Sequence, residues 1–294
     1  MKQAPARKTR ARKTRARKMR ARTLCARSRA SLQTMLALTR VSLLGKFAYP
    51  HDIWGSLLRM SLETILFWKL WTALYADRAT YNGVTLGQAL AYQAINVIVI
   101  SLFSNWVTGE AARRIRSGDI VFDLARPTYY GRLLLYQFVG QSVTMLLTTS
   151  LPMFGLVCLI LRPALPTSPA VWSLFGLSLG LGFLTSFYLD YIVALIAFWT
   201  TEISGFVWVK DGIVALLGGT YLPLWIYPPL LRRVLEYLPF RGISYTPVAI
   251  LVGAISRDQV PAAFGIQVLW LAALAAGSRG LYAAAVKRLA IQGG

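Results

Sequence analysis

Long apolar stretches constrain the fold of this chain more than any other feature of its sequence. A helix needs about 20 predominantly apolar residues to cross the hydrocarbon core of a bilayer. Six stretches meet or approach that length: Leu57–Tyr75, Gln88–Val107, Leu133–Leu161, Val171–Trp199, Gly205–Tyr221 and Ala262–Val286. Backbone polar groups in lipid must be paired within the protein, so these stretches predict an all-α integral membrane fold with six transmembrane helices.

The composition agrees with a membrane location and sets one segment apart. Hydrophobic residues make up 56% of the 294 residues and charged residues only 15%, whereas soluble domains carry about 25% charged residues. The formal net charge is nevertheless +21. Residues 1–30 hold 13 of the 32 Lys and Arg and no acid. We therefore divide the chain into a disordered basic tail, 1–30, and a transmembrane domain, 31–294.

The basic tail contains a five-residue repeat, ARKTR, ARKTR and ARKMR, over 6–20. Like charges this dense repel each other and cannot bury a core, which predicts disorder. Four interpretations compete: nucleic acid binding, attraction to anionic lipid, an organelle transit peptide, or an extension without a role if translation starts at Met19 or Met35. The first 46 positions hold no aromatic residue to stack on a base. We therefore expect membrane lipid, and no nucleic acid, as a partner.

Lys and Arg are unequally divided between the two sides of the predicted spans. With the N-terminus in the cytoplasm and the tail left out, the cytoplasmic connections hold nine Lys and Arg and the outer connections hold six. Cytoplasmic loops of membrane proteins carry an excess of these residues. The distribution predicts that both termini are cytoplasmic.

The sequence lacks the residue patterns of several kinds of enzyme. His51 is the only histidine, and Cys25 and Cys158 are the only cysteines. These numbers exclude an HExxH zinc site, a CxxC metal pair and a disulfide framework. The only Gly-Lys pair, at Gly45, has Arg40 where a phosphate-binding P-loop needs glycine. We expect no catalytic residues, no metal site and no cofactor bound by this chain.

The connection 110–132 is the first of two stretches that are neither span nor simple loop. Its helical pattern stops at Gly118, and Asp119 could cap a second short helix that Pro127 ends. That helix has an apolar side, Ile120, Val121 and Leu124, and a charged side, Asp119, Asp123 and Arg126. We expect it to lie along the cytoplasmic membrane surface and to offer side chains to a soluble partner. A solvated positive loop is the simpler alternative.

The second such stretch, 222–261, holds six of the 13 prolines. Apolar residues at helical spacing between Pro229 and Pro239 predict a short amphipathic helix, too short to cross a bilayer. The apolar residues that follow are interrupted by Pro247. We interpret the stretch as a re-entrant or interfacial hairpin on the outer side, ringed by Trp225, Tyr227, Tyr237 and Tyr245. A seventh and an eighth full span are the alternative.

These two stretches resemble the permease subunits of type-2 ABC exporters, in a bacterial branch of short six-span permeases. IRSGDIVFDLARP, at 115–127, is similar to the branch's cytoplasmic signature between spans two and three. The stretch 198–253 resembles its fifth span and outer re-entrant helices, with Tyr227-Pro228-Pro229, Leu238-Pro239-Phe240, Tyr245 and Pro247 in the family's order. The resemblance covers about 35–294 and leaves out the tail. Ala125 stands where a second leucine is commoner.

The resemblance implies a non-enzymatic permease that forms half of a translocation pathway in the inner (plasma) membrane. Its partners would be a second permease chain, identical or a sister, and a dimer of ABC ATPase subunits that bind the ATP and Mg. Ser31–Lys46 would be an elbow helix on the cytoplasmic membrane face. The ATPase-coupling residues would be Arg113, Arg114, Arg116, Asp119, Asp123, Arg126 and Pro127. The outer re-entrant segment would contain Pro228, Pro229, Leu238, Pro239, Phe240, Tyr245 and Pro247.

Ionisable residues inside the predicted spans support an alternative function. Glu63, Lys69, Asp190 and Asp211 fall within these spans, and such residues are functional candidates by default. They would suit a proton-coupled secondary transporter, unless they pair with neighbours or lie near the interface in a structural role. A membrane-bound enzyme such as a lipid transferase is a third hypothesis, which one histidine and scattered acids disfavour.

Overall fold

A computed structural model of the chain describes residues 33–103, 106–124, 129–163, 165–200 and 202–292. The predicted basic tail, 1–30, and the predicted coupling residues Arg126 and Pro127 lie outside the described residues. Within the described part the fold is all-α except for one short antiparallel ladder, as the apolar stretches predict.

The N-terminal half begins with helix α1 at 33–48, part of the predicted elbow helix. The elements after it are α2 Pro50–Leu74, β1 Thr80–Tyr81, β2 Val84–Thr85, α3 Leu86–Ser101, α4 Trp106–Arg116 and α5 Ile120–Leu124. The two strands form a hairpin around Asn82 and Gly83, whose positive φ angles of 49° and 82° suit a tight turn. The Thr85 side chain then caps α3 by accepting a hydrogen bond from the Gln88 N–H.

The C-terminal half consists of longer helices and one stretch of short helices and turns, 222–261, which we call the interrupted stretch. Its α-helices are α6 Tyr130–Met145, α7 Leu151–Leu161, α8 Pro169–Leu195, α9 Ser204–Leu217, α10 Pro229–Glu236, α11 Tyr245–Leu251 and α12 Val260–Gln292. A π-helical turn, Leu146–Ser150, joins α6 to α7. Because Pro152 has no N–H and its ring clashes with a regular preceding turn, a wider turn directly before it relieves the strain.

Three helices are long and apolar enough to cross a membrane: Tyr130–Leu161, Pro169–Phe198 and Arg257–Arg288. They correspond to the predicted third, fourth and sixth spans. The predicted second span is divided, because its helix ends at Ser101 and Val107 belongs to α4. The helix of the predicted fifth span has 14 residues and ends at Leu217, before Gly218 and Gly219. The first predicted span lies within α2, which Arg59, Glu63 and Lys69 make more polar.

Two hydrophobic cores lie at opposite ends of the helix bundle. One core lies next to the β1–β2 hairpin, at what we call the hairpin end. It is built on large aromatic side chains: Trp71, Tyr92, Trp225 and Tyr245. The core at the other end, which we call the loop end, surrounds α5 and the start of α6: Ile120, Tyr130, Phe138, Phe187 and Tyr191. Burying rings of this size contributes most of the packing energy of a core.

A close backbone contact fixes the interrupted stretch against α8. A Cβ atom on Gly182 would lie 2.5 Å from the Gly242 carbonyl oxygen and 2.7 Å from that of Ile243. The Gln267 side chain in α12 donates hydrogen bonds to the carbonyls of Gly242 (2.8 Å) and Ser178 (3.1 Å). Glycine at 182 therefore lets α8, α12 and the interrupted stretch meet at backbone distance.

We predict that Gly182→Ala lowers the free energy of unfolding by about 1–3 kcal/mol, because the added methyl group displaces packed backbone. Gly180→Ala is the matched control, since a Cβ atom there meets nothing within 4 Å and alanine favours a helix. Thermal unfolding of the detergent-purified variants measures both. Equal unfolding midpoints for the two variants would show that the contact at Gly182 is not tight.

Candidate functional site

Helices α4 and α5 form a compact unit between α3 and α6, which we call the α4–α5 segment. Gly118 joins the two helices with a φ of +79°, a conformation that favours glycine. Ile120, the first residue of α5, is 1% exposed and packs in the loop-end core with Val107 and Ala111 of α4. The segment is thus attached to the bundle by an apolar contact.

An ion-pair network inside this segment holds the two helices together. Arg114 donates to Glu110 in α4 (Nε to Oε1, 2.6 Å) and to Asp123 in α5 (to Oδ2, 2.5 Å). Arg113 donates to Glu110 as well, at 2.7 Å. Asp123 is only 2% exposed. Charge-assisted hydrogen bonds of this length are the strong ones, so α5 is fixed in orientation by Asp123 and Arg114.

The network also keeps Glu110 and Arg114 ionised. Partial burial would raise the pKa of Glu110, but hydrogen bonds from Arg113 and Arg114 outweigh burial and hold that pKa below its ordinary value. Burial likewise would lower the pKa of Arg114, and the carboxylates of Glu110 and Asp123 raise it instead. The pairing is therefore complete across the neutral pH range.

The side of α5 that faces outward is apolar. Val121 is 54% exposed and Phe122 is 72% exposed. The sequence predicted an outward charged side with Asp123 in it, whereas the structure buries Asp123 because that carboxylate pairs with Arg114. Asp119 remains exposed, and its carboxylate accepts a hydrogen bond from the Ser117 hydroxyl at 2.7 Å. A large exposed aromatic side chain on an immobilised helix is a typical binding feature.

One ion pair connects the α4–α5 segment to α9. Arg116 donates to Glu202 at 3.4 Å, and Glu202 accepts a hydrogen bond from the Ser204 N–H, at the start of α9. The bond from Ser204 holds the pKa of Glu202 below its ordinary value. Both partners are exposed, so the pair contributes little to stability. It nevertheless connects the end of α4 to the start of α9.

A second group of charges surrounds a cavity of about 260 Å³ between α2, α8 and α9. Lys210 in α9 pairs with Asp190 in α8 and with Asp211 at 2.7 Å. Arg59 and Glu63 pair at 2.9 Å on α2 and line the same cavity. Asp190 is 2% exposed. Five charged side chains of both signs therefore line one partly open cavity. In the described residues, no three His, Cys, Asp or Glu side chains lie close enough to hold a metal ion.

The structure brings together three of the four ionisable residues predicted inside spans. Glu63, Asp190 and Asp211 line the cavity, whereas Lys69 is exposed and does not. Sequence reasoning missed Arg59 as the partner of Glu63, although their i, i+4 spacing on a helix is a recognisable signal. Lys210 and Asp190 lie on different helices, and no pattern in the sequence indicates their pairing.

The predicted outer residues lie in and around α10 and α11. Pro228 and Pro229 begin α10, Pro239 begins a 3₁₀ turn, and Tyr245 and Pro247 are buried in α11. Leu238 and Phe240 are half-buried.

Part of the predicted aromatic ring is core instead. Trp225 and Tyr245 are 1% and 3% exposed and pack with Tyr92, whose hydroxyl donates to the Gly219 carbonyl at 2.7 Å. Tyr237 remains 70% exposed. The interrupted stretch, 222–261, is therefore packed against the rest of the bundle through Trp225 and Tyr245.

A comparison with protein families shows which family this chain belongs to. Residues 42–293 match the family described as ABC-2 family transporter protein. The chain belongs to the ABC-2 transporter family. No curated protein matches it. The family match confirms the resemblance that the motifs at 115–127 and 198–253 indicate, and it leaves the repetitive tail outside.

Membership in the ABC-2 family, with three apolar helices of spanning length, makes this chain a multi-pass membrane protein of the transporter class. The match includes the α4–α5 segment, the cavity between α2, α8 and α9, and the interrupted stretch before α12. These three places are therefore the candidate functional sites of an ABC-2 transporter protein.

We predict that Lys210→Met destabilises the protein by about 3–5 kcal/mol, because the buried Asp190 loses its cation. Adding Asp190→Asn removes the uncompensated charge and should recover most of that loss. Thermal unfolding in detergent of the wild type, the single variant and the double variant tests the pairing. The double variant unfolding at the same temperature as Lys210→Met would contradict it.

Proposed function

We propose that this chain is the transmembrane permease subunit of an ATP-driven ABC exporter. It forms half of the translocation pathway with a second permease chain, identical or a sister. A separate dimer of ATPase subunits binds and hydrolyses ATP with Mg, and the chain itself performs no chemistry. Family membership supports the permease role, and the sequence has no P-loop of its own.

The α4–α5 segment supports coupling to an ATPase. A docking element must resist the force that its partner applies, and this segment is held by the burial of Ile120 and by the pairs of Arg114. It must also expose a surface that a partner can bury, and Phe122 and Val121 provide one. Of the predicted coupling residues, Asp123 and Arg114 then position the docking helix. Phe122, which was not among the predicted residues, makes the contact.

Helix α9 connects the proposed docking element to the cavity. Its start is paired to the α4–α5 segment through Glu202 and Arg116, and Lys210 and Asp211 in its middle line the cavity. No side chain of α9 is fully buried in the described structure. Since few packed contacts restrain it, α9 is suited to shift when the ATPases close, and that shift would change the cavity.

A six-span topology in the inner membrane, with both termini cytoplasmic, fits this arrangement. The additional spans are α2, α3 and α9, and their charges at Arg59, Glu63 and Lys210 face a cavity where they are paired. The α4–α5 segment, the start of α9 and the end of α12 lie together at the loop end, as cytoplasmic parts of a six-span chain must. The interrupted stretch with α10 and α11 is then the re-entrant element of the outer side.

A proton-coupled secondary transporter is the alternative, because Asp190 and Glu63 line the same cavity among the helices. Their pairing with Lys210 and Arg59 supports a structural role for both carboxylates. Transport that continues after ATP depletion but stops when the pH gradient collapses would favour the secondary transporter over the ABC permease.

We predict that Phe122→Ala weakens ATPase binding about thirtyfold, since an aromatic anchor at an interface is worth about 2 kcal/mol or more. Affinity purification of the tagged chain from its own membranes, with mass spectrometry of the recovered P-loop ATPases, measures the effect. The protein should remain folded, because Phe122 makes no core contact.

Phe47→Ala is the matched control for this experiment. Phe47 lies in α1 and is 60% exposed, so its substitution removes the same side chain from another exposed position of the chain. ATPase recovery should equal that of the wild type. If no ATPase is recovered with the wild type, the permease assignment fails. If Phe122→Ala recovers as much ATPase as Phe47→Ala, the docking contact lies elsewhere.

A further inference from the structure

A second cavity, of about 520 Å³, lies at the loop end between α6, α8 and α12. Its polar lining consists of two arginines and three tyrosines with one serine: Tyr129, Arg132, Tyr188, Tyr191, Ser278 and Arg279. It shares no lining residue with the cavity between α2, α8 and α9. The functions proposed above do not use it.

The helices place this cavity at one boundary of the hydrocarbon core. Arg279 lies 19 residues after Val260, the first residue of α12, which corresponds to about 28 Å at 1.5 Å per residue. The hydrocarbon core is about 30 Å thick. Arg132 lies in the first turn of α6, and Tyr191 is four residues from the C-terminal end of α8. All three therefore lie near the headgroup level of the leaflet at the loop end.

Both arginines are exposed, and neither has a carboxylate partner among the residues that the structure describes. All 11 Asp and Glu of the sequence fall within the described residues. None of them forms an ion pair with Arg132 or Arg279 there. An arginine near the end of a membrane helix extends to the headgroup level, where an anion attracts it. The membrane itself is the available source of that anion.

The tyrosines add hydrogen-bond donors beside these cations. The Tyr191 hydroxyl is buried, lies near Tyr129, and has no well-formed hydrogen bond in the described structure. Gly131 permits this arrangement, because a Cβ atom there would lie 2.7 Å from the Tyr129 ring and 3.1 Å from the Tyr191 ring. Two guanidinium groups with adjacent hydroxyls form a set of donors that matches the oxygens of a phosphate group.

We propose that this cavity binds the headgroup of an anionic phospholipid from the leaflet at the loop end. The phosphate pairs with Arg132 and Arg279, and the apolar side chains of Leu135 and Phe187 in the lining contact the glycerol and the upper acyl chain. With two cations and no carboxylate in its lining, the cavity discriminates against zwitterionic headgroups, whose own cation finds no partner. The inference does not depend on an ATPase partner.

Native mass spectrometry of the purified full-length chain, titrated with phosphatidylglycerol, phosphatidylcholine or inorganic phosphate, tests the proposal. We expect phosphatidylglycerol to bind in preference to phosphatidylcholine. The double variant R132Q/R279Q should weaken phosphatidylglycerol binding about thirtyfold, or about 2 kcal/mol at 1.4 kcal/mol per factor of ten. R132K/R279K retains both charges and should lose much less.

R288Q is the matched control. It removes one exposed arginine from the same helix, α12, outside the cavity, and should bind phosphatidylglycerol as the wild type does. The basic tail is present in every variant, so its attraction to lipid is the same throughout. If the double variant does not fold, R132Q and R279Q are measured singly, each with an expected loss of about fivefold.

Three results would overturn the proposal. The first is equal binding of phosphatidylglycerol and phosphatidylcholine by the wild type. The second is unchanged phosphatidylglycerol binding after loss of the two arginines. The third is displacement of phosphatidylglycerol by inorganic phosphate, which would identify a site for small anions instead of a lipid site.

Discussion

The need to neutralise charge away from water governs how this chain is built. A bilayer offers no solvent to an ionised side chain, so each one must find a partner within the protein or reach the headgroups. Asp190 is nearly inaccessible and is compensated by Lys210 from a different helix. Glu63 is compensated by Arg59 within its own helix. These pairs allow α2 and α9, which are more polar or shorter than ordinary spans, to line one cavity with the apolar α8.

Both ends of the molecule have an apolar core, and the loop end also carries ion pairs between helices. At the hairpin end, Tyr92, Trp225 and Tyr245 pack ring against ring, and Gly182 admits a backbone contact. Packing of this density has one good arrangement and resists displacement. At the loop end, Arg114 and Arg116 hold the α4–α5 segment and α9 through hydrogen bonds. The exposed pair of Arg116 with Glu202 exchanges partners at small cost, so the connection between the α4–α5 segment and α9 can respond to a partner.

The periodicity of the sequence predicts the long helices well, because apolar residues and chain length determine them. The π turn at Leu146–Ser150, the break after Ser101 and the early end of α9 at Leu217 were not predicted. Each depends on local backbone geometry or on tertiary contacts that hydropathy does not contain. The short helix between Pro229 and Pro239 was predicted closely, since proline marks both of its ends.

In the candidate sites too, contacts between residues close in sequence could be predicted, and contacts that depend on tertiary structure could not. Glu110 precedes Arg113 and Arg114 by three and four residues, a spacing that indicates pairing on a helix. The outward direction of Phe122 could not be read from the sequence, because it depends on the pairing of Asp123 with Arg114 and on the burial of Ile120.

Glu202 is 86 residues from Arg116, and only the fold brings them together. The contact between them joins a segment whose ion pairs follow from local spacing in the sequence to a helix whose position depends on the fold. The proposed docking helix contacts the membrane helices through the loop-end core with α6 and α8 as well as through this pair with α9. Coupling through the α4–α5 segment would therefore use both its apolar contact with the bundle and its exposed pair with α9, whose position the sequence alone does not indicate.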